Sequence, residues 1–184
     1  MDSIYPSRGI RQGFPIRHPI SSSQDLNLIL DRVKNKLNLI DQACGYTSYK
    51  SLCLSTLQLD FEAKSAKDLQ TIAKVAIKYT GAKARAVNAE VTKLQGSAKD
   101  EGLKQALTDC AENYGDAIDQ IQSSTTSLGS KKYNDVKTWV SATMNDAASC
   151  EQGFQDQSVK SPIASLSTTF TQLSSNVLAI TNHL

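Results

Sequence analysis

Two stretches of regularly spaced apolar residues dominate the chain, and they are separated by the short segment Gly129–Lys132. From Leu103 to Leu128, apolar or small residues recur every three or four positions, which predicts one long amphipathic helix with a narrow buried face. A second series with the same spacing runs from Tyr133 to Phe154. Because the connection is so short, we expect the two helices to fold back on each other as an antiparallel hairpin.

The spacing also predicts which side chains of the hairpin are buried. In the first helix these are Leu103, Ala106, Leu107, Cys110, Tyr114, Ala117, Ile118, Ile121, Thr125 and Leu128. In the second helix they are Tyr133, Val136, Val140, Thr143, Met144, Ala147, Cys150 and Phe154. Each helix therefore carries one cysteine on its buried face.

Cys110 lies early in the first helix and Cys150 late in the second, so in an antiparallel hairpin they lie at the same level and could bond. Cys44 and Cys53 are separated by eight residues, and no spacing matches the short cysteine pairs of zinc or redox sites. Helical phase favours pairing 44 with 53 and 110 with 150, which implies an oxidising compartment. Four buried thiols in a cytosolic bundle are the alternative.

Other segments also follow the helical period. Leucines and isoleucines predict a helix over 25–43, and a short helix over about 50–58 should follow the turn between Cys44 and Cys53. A long helix is predicted over 66–95, where small residues around Gly81 suggest that a neighbouring helix approaches closely. A last helix is predicted to begin at Pro162, a residue that a helix tolerates in its first turn.

No segment alternates as a strand does, so the fold class is all-α. We predict an antiparallel four-helix bundle over 65–184, preceded by a helical hairpin over 24–62, with two disulfides. Residues 1–23 contain three prolines and no periodicity, which predicts a poorly ordered extension. How the N-terminal hairpin packs is left open, and its exchange with a second copy into a dimer is one expectation.

Composition excludes several classes of partner. There are 20 basic and 18 acidic residues, a net charge of +2, which gives no electrostatic footprint for nucleic acid. No apolar run is long enough to span a membrane. No signal peptide is visible at the N-terminus, so either a leader has been removed or the protein is cytosolic.

The sequence offers no catalytic constellation, and we predict a binding protein without metal or cofactor. His18 and His183 both lie far from the middle of any predicted helix of the bundle, and there is no Glu-x-x-His motif or phosphate-binding glycine loop. Pairs of carboxylates do occur, but on polar helix faces where solvation explains them better than glycosidase chemistry. These pairs are Asp109 with Glu112, Asp116 with Asp119, and Asp146 with Glu151.

Four local patterns together resemble the plant invertase and pectin methylesterase inhibitor family. They are Cys44-x8-Cys53 followed by Leu54 and Leu57, the run Cys110–Ile118, the run Val140–Phe154, and the tail Leu178–Asn182. The resemblance implies a secreted four-helix bundle with disulfides 44–53 and 110–150. It also implies reversible inhibition of a cell-wall or vacuolar carbohydrate-active enzyme through a protein–protein complex.

The resemblance also suggests where the target is contacted. Invertase-inhibiting members carry Pro-Lys-Phe in the loop before the helix with the fourth cysteine; here Lys131, Lys132 and Tyr133 stand in that loop, without the proline. We therefore predict target contact through these residues and Asn134, since a cation suits a cleft lined by carboxylates. An ordinary basic loop is the alternative.

The expected target is an acid invertase, because Ser174 stands where methylesterase inhibitors often carry a fifth cysteine. Inhibition of a pectin methylesterase is the alternative function. A structural or ligand-carrying bundle is the third, although regularly filled helix faces predict a solid interior. As a family member the protein is expected in the apoplast or cell wall, or alternatively in the vacuole.

Overall fold

The computed structural model describes residues 23–184, so the prediction for residues 1–22 lies outside it. This part of the chain contains seven helices and no strand, which confirms the all-α class. Residues 34–184 form one unit, and the beginning of the first helix, up to Val33, belongs to another. The helices are α1 (Ser23–Gly45), α2 (Lys50–Leu57), α3 (Phe61–Ser65), α4 (Leu69–Gln95), α5 (Glu101–Gly129), α6 (Tyr133–Asp156) and α7 (Ala164–Thr181).

Helices α4 to α7 form the predicted four-helix bundle. Helix α5 packs against both α4 and α6, and α7 closes the bundle against the same two helices. The largest buried side chains come from all four helices, as an up-and-down bundle requires. They include Ile72, Ile77, Leu107, Tyr114, Phe154, Phe170 and Ile180.

Both disulfides are present. Cys44 is bonded to Cys53, and Cys110 to Cys150, whose Cα atoms are 4.4 Å apart. No cysteine is left unbonded in the part of the chain that the structure describes, so the alternative of four buried thiols is wrong. The second bond lies in the core between α5 and α6, as the helical phase of the two cysteines predicted.

The segment before α4 differs from the prediction. The short helix α3 was not predicted; Asp60 caps it by accepting hydrogen bonds from the backbone N–H groups of Glu62 and Ala63. Helix α4 begins at Leu69 rather than at 66, because the Asp68 carboxylate accepts a hydrogen bond from the Thr71 N–H and so starts the helix there.

Helices α2 and α3 pack on the bundle. Both contact α4, and α2 also contacts α7. Two ion pairs join this segment to α4, from Lys78 to Asp60 at 2.8 Å and from Lys74 to Glu62 at 2.7 Å. The hydrogen bond from Lys78, with help from the two capping N–H groups, lowers the pKa of the buried Asp60 carboxyl. The cap and the ion pair thus fix the same side chain.

Two predictions of helix phase and helix start need correction. In α5 the core position is Ser124, whose hydroxyl donates to the Gln120 carbonyl, and Thr125 is exposed. A serine can occupy the core there because its hydroxyl bonds within its own helix. Pro162 lies in the turn before α7, which begins at Ala164.

The predicted close approach at Gly81 is confirmed. A Cβ atom added there would lie 3.0 Å from Cγ2 of Ile121 on α5. A hydrogen bond from Gln95 to Thr108 joins the same two helices at the end of α4. Gly115, in the middle of α5, has no atom within 4 Å of the corresponding position.

We therefore expect alanine to act differently at the two glycines. Gly115→Ala should raise the free energy of unfolding by about 1 kcal/mol, because alanine favours the helix and meets no neighbour. Gly81→Ala should leave the free energy of unfolding unchanged or lower it, because the close contact of the new Cβ with Ile121 offsets the gain in helix propensity. Urea denaturation of both variants measures the difference; equal stabilisation would show that α4 and α5 can separate without cost.

Candidate target-binding surface

Of the predicted contact segment Lys131–Asn134, called the loop below, Tyr133 and Asn134 are already the first residues of α6, and only Lys131 and Lys132 lie between the helices. The segment is held by the end of α5. The N–H of Lys131 donates to the Leu128 carbonyl, and the N–H of Lys132 donates to the Ser127 carbonyl. This hydrogen-bond pair closes a helix in a Schellman motif, which requires a left-handed residue. Lys131 takes that conformation, with a φ of 57°. The spacing predicted that Gly129 lies in the connection between the helices, but Gly129 is still helical. Lys131, rather than a glycine, takes the left-handed conformation.

A second contact fixes the loop from the side of α4. The Tyr133 hydroxyl donates to the Gln70 side-chain oxygen at 3.1 Å, and the Gln70 side-chain nitrogen donates to the Leu128 carbonyl at 3.3 Å. Gln70 thereby connects both sides of the loop to the start of α4. Tyr133 is half-buried. Among the predicted contact residues it therefore anchors the loop to α4, and its side chain is only partly open to a target.

The other three predicted contact residues, Lys131, Lys132 and Asn134, are exposed. Neither lysine belongs to an ion pair within residues 23–184. Lys131 does influence Asp68: hydrogen bonds from Thr71 are the main reason why the pKa of that carboxyl is lowered, and the Lys131 charge lowers it further. The loop therefore presents two cations to solvent on a fixed backbone.

Ser158 provides a matched control for the conformation of Lys131. It follows α6, has a φ of 55°, and closes that helix with the same pair of hydrogen bonds, made by the N–H groups of Ser158 and Val159. A left-handed residue other than glycine costs roughly 1 kcal/mol or more. Both positions therefore carry a similar local strain, at opposite ends of α6.

We predict that Lys131→Gly and Ser158→Gly each raise the free energy of unfolding by about 1 kcal/mol. Only Lys131→Gly should weaken target inhibition, because it removes a loop cation and the rigidity of the loop. Thermal denaturation and inhibition assays of both variants measure the two effects. If Lys131→Gly stabilises the fold and leaves inhibition unchanged, Lys131 does not contact the target.

A second surface worth attention lies on α5 and α6. Trp139 of α6 is 39% exposed, which is unusual for the largest side chain. The Asp146 carboxylate is half-buried, and its Oδ2 atom makes no hydrogen bond within the described residues. Burial raises the pKa of Asp146, the charge of Asp116 raises it further, and the Gln120 side chain partly offsets both. The expectation that this carboxylate is simply solvated is wrong.

The charge of Asp146 should destabilise the fold above its pKa. Because its pKa is raised in the folded state, the folded protein binds the proton more tightly, so this cost disappears as pH falls through that pKa. We predict that Asp146→Asn raises the free energy of unfolding near about pH 7, and that the gain shrinks at about pH 3.5. Urea denaturation at both pH values measures it; a gain that does not change with pH would contradict the assignment.

The described residues contain no other obvious chemical centre. Within 23–184, no group of three or more His, Cys, Asp or Glu side chains could hold a metal ion. The His183 ring stacks on Tyr46, with ring centroids 3.6 Å apart. Among the described helices, none has the length and apolar character that crossing a membrane requires.

Comparison with known proteins gives a consistent result. The family model for the plant invertase/pectin methylesterase inhibitor matches residues 38–180. A pectinesterase inhibitor from Actinidia deliciosa is 34% identical over 67% of this chain and 66% of that protein, just under two thirds of its length. A putative invertase inhibitor from Platanus orientalis is 29% identical over 84% of this chain and 90% of that protein.

A solved structure agrees with the fold. The crystal structure of a mutant form of a pectin methylesterase inhibitor from Arabidopsis superposes with a TM-score of 0.67 at 27% identity, covering 77% of this chain and 93% of that one. Residues 38–180, which the family model matches, include both disulfides and the four helices of the bundle up to the last residue of α7. These proteins are inhibitors rather than enzymes. The chain belongs to the plant invertase/pectin methylesterase inhibitor family.

Proposed function

We propose that this chain inhibits a plant acid invertase, a β-fructofuranosidase, through a reversible complex in which the loop Lys131–Asn134 enters the target's cleft. The observation that carries this proposal is the pair of exposed lysines, neither in an ion pair with a side chain that the structure describes, on a loop of fixed backbone. Glycosidases act through a pair of carboxylates in their cleft. A cation that reaches such a cleft gains from complementary charge.

Rigidity of the loop supports this proposal. The Schellman hydrogen bonds hold Lys131 and Lys132, and Gln70 holds Tyr133. Because the backbone is already ordered, little conformational entropy is lost when the loop docks. The strain at Lys131 fits the same role, since residues in rare backbone conformations concentrate at functional sites.

Inhibition of a pectin methylesterase is the second candidate, and separate observations favour it. The Actinidia relative and the Arabidopsis structure are both named as inhibitors of that enzyme. The exposed residue Trp139, on the same helix as Asp146, is the kind of aromatic group that dominates interface energies. In this case the polar faces of α5 and α6 would make the contact.

The two disulfides support an oxidising compartment. Disulfide bonds persist in oxidising environments, so two of them support secretion to the cell wall or delivery to the vacuole. Both are compartments in which a carbohydrate-active target would meet its inhibitor.

Lys132→Glu tests the first candidate, and Lys99→Glu is its control. Lys99 is an exposed lysine in the α4–α5 connection, at the other end of the bundle, so the two variants change charge equally. Against an acid invertase at mildly acidic pH, Lys132→Glu should weaken inhibition at least about tenfold, because it places a carboxylate among carboxylates. Lys99→Glu should leave it unchanged.

Trp139→Ala separates the two candidates. If the target is a pectin methylesterase, this variant should weaken its inhibition while Lys132→Glu has little effect. Unchanged invertase inhibition by Lys132→Glu would refute the loop as the inserting element. If the unaltered protein inhibits neither enzyme, both candidates fail.

A further inference from the structure

A groove of mixed polar and apolar lining runs between α6 and α7 and continues over the start of α2. Its first part, about 240 Å³, lies between the two helices, and a second part of about 380 Å³ adjoins it. Tyr49 and Gln172 line both parts and so mark their junction. Together the two parts reach the size range of small-molecule sites.

The lining is rich in hydroxyl groups and poor in charge. Helix α7 contains no charged residue, and Thr168, Thr171 and Gln172 of that helix face the groove. One carboxylate, Glu151, lines the first part, and Lys50 lines the second. Met144, Ala147 and Ala148 provide a short apolar strip.

Tyr49 gives the groove an aromatic surface. Tyr49 is 39% exposed, and its carbonyl accepts a hydrogen bond from the Asn176 side chain at 3.4 Å, which holds its backbone against α7. An exposed ring on a fixed backbone, surrounded by hydroxyl and amide groups, can stack on the C–H face of a sugar while the polar groups bind its hydroxyls.

A buried polar group points to the same place. The Tyr114 side chain is completely buried, and its hydroxyl has no hydrogen-bond partner within the described residues. Burial raises the pKa of Tyr114 to about 12; the Ser167 hydroxyl opposes this shift, and the Glu151 charge adds to it. Ser167, whose hydroxyl is close enough to Tyr114 to influence its pKa, lines the first part of the groove, as does Glu151.

We propose that this groove binds an uncharged oligosaccharide of two or three units. One sugar would occupy the first part, with its hydroxyls on Glu151, Ser167 and Thr168, and would complete a chain of hydrogen bonds that begins at the buried Tyr114 hydroxyl. The next would stack on Tyr49 and contact Gln172. This site lies on other elements than the loop Lys131–Asn134, and it does not depend on which enzyme the protein inhibits.

The charge of the first part of the groove, where Glu151 lies, favours an uncharged sugar there. A uronate in the first part would place its carboxylate beside Glu151, which already accepts a hydrogen bond from Ser161. Removing that repulsion by esterifying the uronate should restore binding. The ester and acid forms of one oligogalacturonide therefore differ in the property that the groove should select.

The test is a chemical-shift titration of the full chain with three probes: a neutral fructan trisaccharide, a methyl-esterified trigalacturonide and its de-esterified form. At least one uncharged probe should bind with a dissociation constant of about 1 mM and shift resonances of Tyr49 and Gln172. The de-esterified form should bind about tenfold more weakly. Tyr49→Ala should reduce binding about tenfold, and Glu151→Gln should narrow the gap between the ester and the acid.

Phe61→Ala is the matched control, because Phe61 is also an exposed aromatic, 85% accessible, but lies outside the groove. It should leave sugar binding unchanged. The proposal fails if neither uncharged probe perturbs groove resonances at high concentration. It also fails if the acid form binds more tightly than the ester, or if Tyr49→Ala, folded as judged by circular dichroism, binds as well as the unaltered protein.

Discussion

The bond between Cys110 and Cys150 determines how the rest of the structure is held. It joins an early turn of α5 to a late turn of α6, so the hairpin is closed by a covalent link at one end and by a short loop at the other. Two helices fixed at both ends cannot splay. By chain entropy, a link that closes a segment of 40 residues contributes roughly 4 kcal/mol, against roughly 3 kcal/mol for the shorter Cys44–Cys53 segment.

The fixed hairpin explains why its loop is suited to recognition. The loop Lys131–Asn134 extends from two helices that cannot move apart, and Gln70 connects it to a third. Such a loop can hold a strained lysine, because the surrounding hydrogen bonds determine its backbone. The disulfide that stabilises the core therefore also helps to hold the loop that presents Lys131 and Lys132.

The sequence predicted those features that depend on local periodicity. The buried faces of α5 and α6, and the level at which Cys110 and Cys150 meet, follow from residues three or four positions apart. It did not predict α3, because five residues give no period and only the cap at Asp60 marks the helix. Spacing alone could not separate Thr125 from Ser124, because each lies three or four residues from both Ile121 and Leu128.

The candidate site was predicted only in part, for a different physical reason. The basic character of Lys131 and Lys132 is visible in the sequence, and so is the proximity of an aromatic residue. The role of Tyr133 as an anchor is not, because its partner Gln70 lies 63 residues away. Half-burial of Asp146 likewise depends on α5, whose Asp116 and Gln120 come close only in the folded hairpin.

Two surfaces of opposite charge on one rigid bundle should respond differently to their surroundings. Because the pKa of Asp146 is raised by burial and by the charge of Asp116, the charge of the face around Asp146 depends on pH. A complex made through the α5–α6 face should therefore change in strength as Asp146 gains its proton, whereas one made through the loop should not respond to that step. Salt should weaken both complexes. The contrast distinguishes the two modes of inhibition without any substitution, because it follows from which groups titrate in the native protein.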